Sequence, residues 1–136
     1  EMVKNAPTFD KVLPDFYKFT RGAILVGHNI ENYDFPLLSK FADKEGYNFN
    51  NDLEDTLLLA REYLKNEMTK FDLVSLSKRY GFNHENAHRA ISDVYATCDL
   101  LRELSRRRRF RYLNTSDRFA FERPLMCLII TASISS

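Results

Sequence analysis

The stretch Ala87-His88-Arg89-Ala90-Ile91-Ser92-Asp93 places an imidazole and a carboxylate five positions apart, ahead of an apolar helical pattern. In an ideal helix five residues turn through about 500°, so His88 and Asp93 would point roughly 140° apart. They can share one site only if His88 lies in the loop or cap before the helix and Asp93 in an early turn. That arrangement suits a general base beside a metal ligand. The alternative is an unrelated surface histidine and aspartate, because short patterns recur by chance.

The composition is typical of one globular domain: 136 residues, of which 44% are hydrophobic and 29% charged. A net charge of +1 means that any polyanion site must be a local patch. Cys98 and Cys127 are too few for a disulfide framework, and a buried Cys98 thiol would fit a reducing, cytoplasmic compartment. The sequence shows no signal peptide. We expect no membrane segment, because the apolar run Leu125 to Ala132 is shorter than the roughly 20 residues that cross a bilayer.

The first half of the chain predicts a helix followed by a buried strand. Thr8 is placed as the helix N-cap, and Pro14 inside the apolar pattern predicts a kink or a split helix. The unbroken apolar run Ala23 to Val26 predicts a buried and parallel strand. Gly27, His28 and Asn29 follow it, at the end of a strand where sites collect in open α/β sheets.

Four more helices and a short strand follow, each indicated by caps and spacing. A helix is expected from near Asn32 to about Lys44, with Asp34 and Pro36 in its first turn. A short strand includes Leu53. A helix capped by Asp55-Thr56 is expected to carry Leu57 to Leu64. The next helix carries Leu73, Leu76 and Tyr80 and is closed by Gly81. The main helix runs from about His88 to Ser105, and its apolar face consists of Ile91, Val94, Cys98, Leu101 and Leu104.

The pattern changes after Leu104. The run Arg106 to Arg109, followed by Phe110-Arg111-Tyr112, has two interpretations. It is either a solvated helix end whose cations complement the helix dipole, which we prefer, or a phosphate-backbone contact with an aromatic for base stacking. The apolar run Leu125 to Ile130 predicts a strand, placed beside Ala23 to Val26. We expect two regions: residues 1–105 as one domain, and residues 106–136 as a basic run and an unrelated tail.

Two motifs together carry a family resemblance. Val26-Gly27-His28-Asn29-Ile30-Glu31-Asn32-Tyr33-Asp34-Phe35-Pro36-Leu37-Leu38, with Ala87 to Asp93, resembles the second and third motifs of the DEDD exonucleases of the His subclass (DnaQ-like). That family includes the proofreading exonucleases of bacterial replicative polymerases and the three-prime repair exonucleases. The spacing of Asn29 and Asp34 is similar to the repair branch. The segment Glu1 to Pro7 and the helix after Asp55 add support, so the resemblance covers about Met2 to Leu104.

The resemblance implies an α/β, ribonuclease H-like fold and hydrolysis of nucleic-acid 3′ ends with two metal ions. By this resemblance Asp93 and Asp34 hold Mg²⁺ or Mn²⁺, and His88 takes the proton from the attacking water. Asn29, with His28 and Tyr33, is a candidate for the substrate pocket. The stronger expectation for Tyr33 and Phe35 is nevertheless packing in the core.

The first motif of the family, an Asp-x-Glu pair on an N-terminal strand, has no counterpart before these motifs. Asp52-Leu53-Glu54 has the Asp-x-Glu pattern, but it lies between the second and third motifs instead of before them. Asp43-Lys44-Glu45 is a second false match. We therefore expect an N-terminally truncated domain without the first antiparallel strands, and little activity from the chain alone.

The expected partners are a single-stranded or frayed 3′ end of DNA or RNA, and a polymerase or larger parent chain. Two alternatives stay open: a non-catalytic nucleic-acid-binding or protein-interaction module that retains the fold, and an α/β domain in which the motifs are coincidental. The order of the motifs argues against coincidence.

Overall fold

The computed structural model describes residues 5–84, 90–112 and 125–127, and combines helices with a small parallel sheet. In chain order the elements are α1 (Phe9–Phe19), β1 (Ile24–Gly27), α2 (Asp34–Lys44), β2 (Leu53–Asp55), α3 (Thr56–Leu64), α4 (Leu73–Tyr80), α5 (Ala90–Tyr112) and β3 (Leu125–Cys127). This mixed architecture confirms the predicted α/β class. Whether antiparallel strands precede it stays a prediction.

The strand β1 lies at the centre of the described sheet, whose order is β2-β1-β3. Both neighbours are parallel to it, with Leu25 opposite Leu53 on one side and Met126 on the other. Leu25 and Val26 are fully buried, as the unbroken apolar run predicted. The predicted strand beside β1 is confirmed for Leu125–Cys127, and residues 128–130 lie outside the described part of the chain.

The helix α1 runs without a break through Pro14, so the predicted split is wrong. Proline removes one backbone donor from a helix interior. Tertiary packing compensates here, because Leu13 is fully buried and Phe16 and Tyr17 pack against the core. Thr8 occupies the N-cap position, although its side chain makes no capping hydrogen bond.

Two apolar cores flank the elements that carry the motifs. One is built by Leu13, Leu25, Ile30, Leu38, Ala42 and Phe49, and the other by Ala60, Leu64, Leu76, Leu100 and Leu104. The first core joins α1 and α2 to β1. The second joins α3, α4 and α5, so the two motifs belong to elements anchored in different cores.

The helix α5 differs from its prediction in both its length and its buried face. It continues to Tyr112 instead of ending at Ser105, so the expected domain boundary at residue 105, which stays a prediction, would fall inside a helix. Its fully buried side chains are Ala96, Thr97, Leu100 and Leu104. Leu104 is buried as predicted, but Ile91 is 65% exposed and Cys98 is only partly buried, so the predicted face is wrong at Ile91 and the prediction of a buried thiol is wrong. The apolar spacing alone did not show which stripe faces α3 and α4.

Candidate active site at the carboxyl end of β1

The turn after β1 is organised by Asn29. Its φ of 65° lies in the left-handed region, which asparagine tolerates better than most residues. The backbone N–H of Asn29 donates to Asp55 Oδ1 at 2.8 Å, and that of Glu31 donates to Asp55 Oδ2 at 3.3 Å. The Asn32 side chain donates to Asn29 Oδ1 at 2.9 Å. The turn is therefore stabilised by the Asp55 carboxylate on the neighbouring strand and by the Asn32 side-chain amide within the turn itself.

Asp55 connects this turn to the next helix. It is 4% exposed, and its Oδ1 also accepts from Leu57 N–H at 2.9 Å, which caps α3. The parallel register sets Gly27 opposite Asp55, so both strands end at the same edge. The sequence predicted the cap, but it gave no sign that the same carboxylate holds the turn after β1.

His28 is bonded through both ring nitrogens. Nε2 lies 2.8 Å from the carbonyl oxygen of Phe71, and Nδ1 lies 2.9 Å from Thr56 Oγ1. A carbonyl only accepts, so Nε2 carries the hydrogen. Burial lowers the pKa of His28, which favours the neutral ring whose Nδ1 accepts from the Thr56 hydroxyl. A substrate contact by His28 stays a prediction, and it would use the ring carbons or the backbone.

Asp34 lies in the first turn of α2, directly after this turn. Burial, helped by the neighbouring charge of Asp55 and opposed by a backbone hydrogen bond, raises the pKa of its carboxyl group to about 6. No basic side chain within residues 5–84 or 90–108 forms an ion pair with it. This carboxylate is in the electrostatic situation that a bound cation would relieve.

Asp93 lies in the first turn of α5 and is bonded to a histidine that the sequence analysis did not select. Its Oδ1 is 2.6 Å from His84 Nε2, and the side chains of His84 and Asp93 are 6% and 18% exposed. His84 is nine positions from Asp93, a spacing with no obvious signal. His88 lies outside the described residues, so its convergence with Asp34 and Asp93 stays a prediction.

The two aromatics beside Asp34 behave differently. Phe35 packs against the first core, as predicted. Tyr33 is 70% exposed, so the expectation that it packs in the core is wrong. Its exposed ring immediately before Asp34 is compatible with the other interpretation, a substrate contact, which stays a prediction.

The described carboxylates have the oxygen donors that a divalent metal prefers, but too few of them lie together to hold one. Carboxylate oxygens such as those of Asp34 and Asp93 suit Mg²⁺ and Mn²⁺. Among the residues that the structure describes, however, no three His, Cys, Asp or Glu side chains come close enough to hold an ion. Glu54 forms an ion pair with Arg108 at 3.4 Å, which agrees with its interpretation as a false match. The described residues could therefore supply only part of a metal site.

Arginines of the basic run at the end of α5 form ion pairs within the chain. Arg107 is paired with Glu67, Arg106 lies 3.6 Å from Glu103, and Arg108 reaches Glu54. These pairs favour the interpretation as a helix end over a phosphate contact for these three arginines. In the described part of the chain, no helix is long and apolar enough to cross a membrane.

Comparison with known proteins agrees with the motifs. An exonuclease family model of the RNase T type matches residues 1–101. The chain is 38% identical over 101 residues to a PolC-type DNA polymerase III of Clostridium perfringens, covering 74% of this chain and 7% of that protein. It is 30% identical over 112 residues to the DNA polymerase III subunit epsilon of Aquifex aeolicus, covering 82% of this chain and 54% of that protein. The chain belongs to the RNase T-type exonuclease family, in agreement with its DnaQ-like, His-subclass motifs.

Proposed function

We propose that the chain is part of a metal-dependent 3′-to-5′ exonuclease that removes nucleotides from DNA ends in association with a replicative polymerase. The observation that carries this proposal is Asp34. Its carboxyl group lies at the carboxyl end of β1, with a pKa raised to about 6 and no basic ion-pair partner among residues 5–84 and 90–108. A half-buried carboxylate that no described cationic side chain neutralises suits a metal ligand better than a structural ion pair. DNA is the preferred substrate, because the relatives are named as DNA polymerase III proteins.

In this proposal Asp34 and Asp93 would hold Mg²⁺ or Mn²⁺. When bound, two such ions would polarise the scissile phosphate and stabilise the charge that develops on the leaving 3′ oxygen. His88 would accept a proton from the attacking water, whose oxygen bonds to phosphorus as the P–O3′ bond breaks. The leaving 3′ oxygen takes up a proton from solvent, so the shortened strand ends in a new 3′ hydroxyl, and the released product is a nucleoside 5′-monophosphate. The exposed Tyr33 ring would stack on the terminal base, and Asn29 would shape the pocket.

We expect the chain alone to be nearly inactive, for reasons of charge. Two divalent ions bring four positive charges, and Asp34 with Asp93 offers two negative ones. Substrate phosphate supplies part of the remainder, but it does not fix both ions for in-line attack. An Asp-x-Glu pair on an adjoining strand would complete the set.

The test measures release of nucleoside 5′-monophosphates from a 3′-labelled single strand, with and without chelator. The chain is compared with a version extended upstream through an Asp-x-Glu strand. In the extended version His88→Ala should reduce turnover by about 10²–10⁴-fold, the range for a lost general base, and should leave metal binding largely intact. Asp93→Ala should abolish both. Asp99→Ala is the matched control, because Asp99 lies on the same helix and pairs with Arg102.

Two results would contradict separate parts of the proposal. Chelator-sensitive activity from the chain alone would contradict its expected inactivity and show that its carboxylates already suffice. An extended version that binds a 3′-ended strand but releases no monophosphate would favour the alternative, a non-catalytic nucleic-acid-binding or protein-interaction module. That alternative is supported by the lack of a three-ligand cluster among the described residues.

A further inference from the structure

The segment that precedes His84 is anchored by contacts that do not involve Asp93. Gly81, with a φ of 69°, ends α4 in the left-handed conformation. The backbone N–H of Phe82 then donates to the Ser77 carbonyl at 2.9 Å, and the Phe82 ring stacks on Tyr80 with centroids 5.5 Å apart. The segment leading to His84 is therefore anchored by backbone and ring contacts, so the position of the imidazole does not depend on Asp93 alone.

The two ring nitrogens of His84 differ in their hydrogen bonding. A carboxylate accepts, so Nε2 is the donor in the 2.6 Å bond to Asp93 Oδ1. The other ring nitrogen, Nδ1, is buried and has no hydrogen-bond partner among the residues that the structure describes. In His28, by contrast, both nitrogens are bonded to other elements. Within the described residues, the hydrogen bond of the His84 ring is therefore made to Asp93.

We propose that His84 is a positioning residue that fixes the carboxylate of Asp93 for metal binding, which rests on the proposed function of Asp93. The carboxylate has two oxygens with about four acceptor positions. The bond to His84 uses one of them and restricts rotation about the side-chain torsions, so the carboxylate keeps one orientation. Hydrogen bonds from surrounding groups commonly orient metal-binding carboxylates in this way.

The test uses the extended exonuclease and measures Mn²⁺ affinity by electron paramagnetic resonance, without substrate, together with the Mn²⁺ concentration for half-maximal activity. His84→Leu keeps the volume and removes the donor, and should weaken Mn²⁺ binding by about 10–100-fold. Activity at saturating Mn²⁺ should recover most of its value. His84→Gln places an amide N–H near the position of Nε2 and should restore most of the affinity. Ser77→Ala is the matched control, because Ser77 is a neighbouring buried residue whose hydroxyl has no hydrogen-bond partner in the described part of the chain.

A second measurement protects the test against a variant that does not fold. The ¹⁵N chemical shifts of the His84 ring in the unmodified protein should show the hydrogen on Nε2, and a ring protonated only on Nδ1 would overturn the proposal. Unchanged Mn²⁺ affinity in folded His84→Leu would also overturn it, provided that Asp93→Ala loses the affinity. If Asp93→Ala retains full Mn²⁺ affinity, the proposed function fails, and the role of His84 fails with it.

Discussion

Replacing Asp55 by alanine should destabilise the domain more than the loss of a helix cap explains. Removing an N-cap costs about 1 kcal/mol. Asp55 also accepts from the N–H groups of Asn29 and Glu31 while being 4% exposed. A buried donor left without a partner costs about 1–3 kcal/mol, which applies to the half-buried Asn29, whereas Glu31 is exposed and water can replace its bond. The sum is about 2–4 kcal/mol, a large part of the roughly 5–15 kcal/mol that stabilises a typical domain.

Urea unfolding followed by circular dichroism measures this effect. Asp72→Ala is the matched control, because Asp72 also caps a helix but bonds only to Ser75 in an exposed position. Asp72→Ala should cost about 0.5–2 kcal/mol. Asp55→Asn should lie between the two alanine variants, because its single carbonyl oxygen can still accept from Asn29 and Leu57. If Asp55→Ala costs no more than Asp72→Ala, the turn after β1 does not depend on this carboxylate.

Two further predictions concern pH. The pKa of Asp34 is raised from 3.8 to about 6, so the folded state holds more protons in that interval and stability falls as pH rises through it. At about pH 8 the free energy of unfolding of Asp34→Asn should therefore exceed that of the unmodified chain by about 1–2 kcal/mol after solvent screening. Near pH 4 the two free energies should be nearly equal. Urea melts that give the same difference at both pH values would contradict this. The pKa of His28 is lowered from 6.5, so the unfolded chain takes up the proton first and the stability from the neutral ring is lost as pH falls below about 6.5. His28→Gln should flatten this loss in thermal melts, and the interpretation fails if both proteins lose stability in parallel.

Local signals in the sequence determined most of the elements. The aspartate before α3 and the glycine after α4 act within one helical turn of themselves, so their effects could be predicted: Asp55 caps α3, and Gly81 adopts a φ of 69°. The apolar run of β1 likewise predicted a buried strand, because such a run needs cover on both faces.

Tertiary packing decided the features that depend on distant neighbours. Pro14 stays inside a continuous helix because Leu13 is buried and Phe16 and Tyr17 pack against the core. Apolar spacing suggested Ile91 and Cys98 for the inner face of α5, whereas contacts with α3 and α4 bury Thr97 and Leu100 instead. A helix with several apolar stripes can pack through any of them, and only its partners select one.

The candidate site divides in the same way. The motif order indicated Asp34 and Asp93 from the sequence, because chemistry requires those residue types after a strand and at a helix start. The hydrogen bonds that hold them are long-range: Asn29 to Asp55 across 26 positions, and His84 to Asp93 across nine. Such bonds depend on the parallel register of β1 and β2 and on the packing of α4 against α5, and no local pattern specifies either. The sequence by itself therefore indicated the candidate residues of the site, which stay a prediction, and the tertiary structure decided the partners of those it describes.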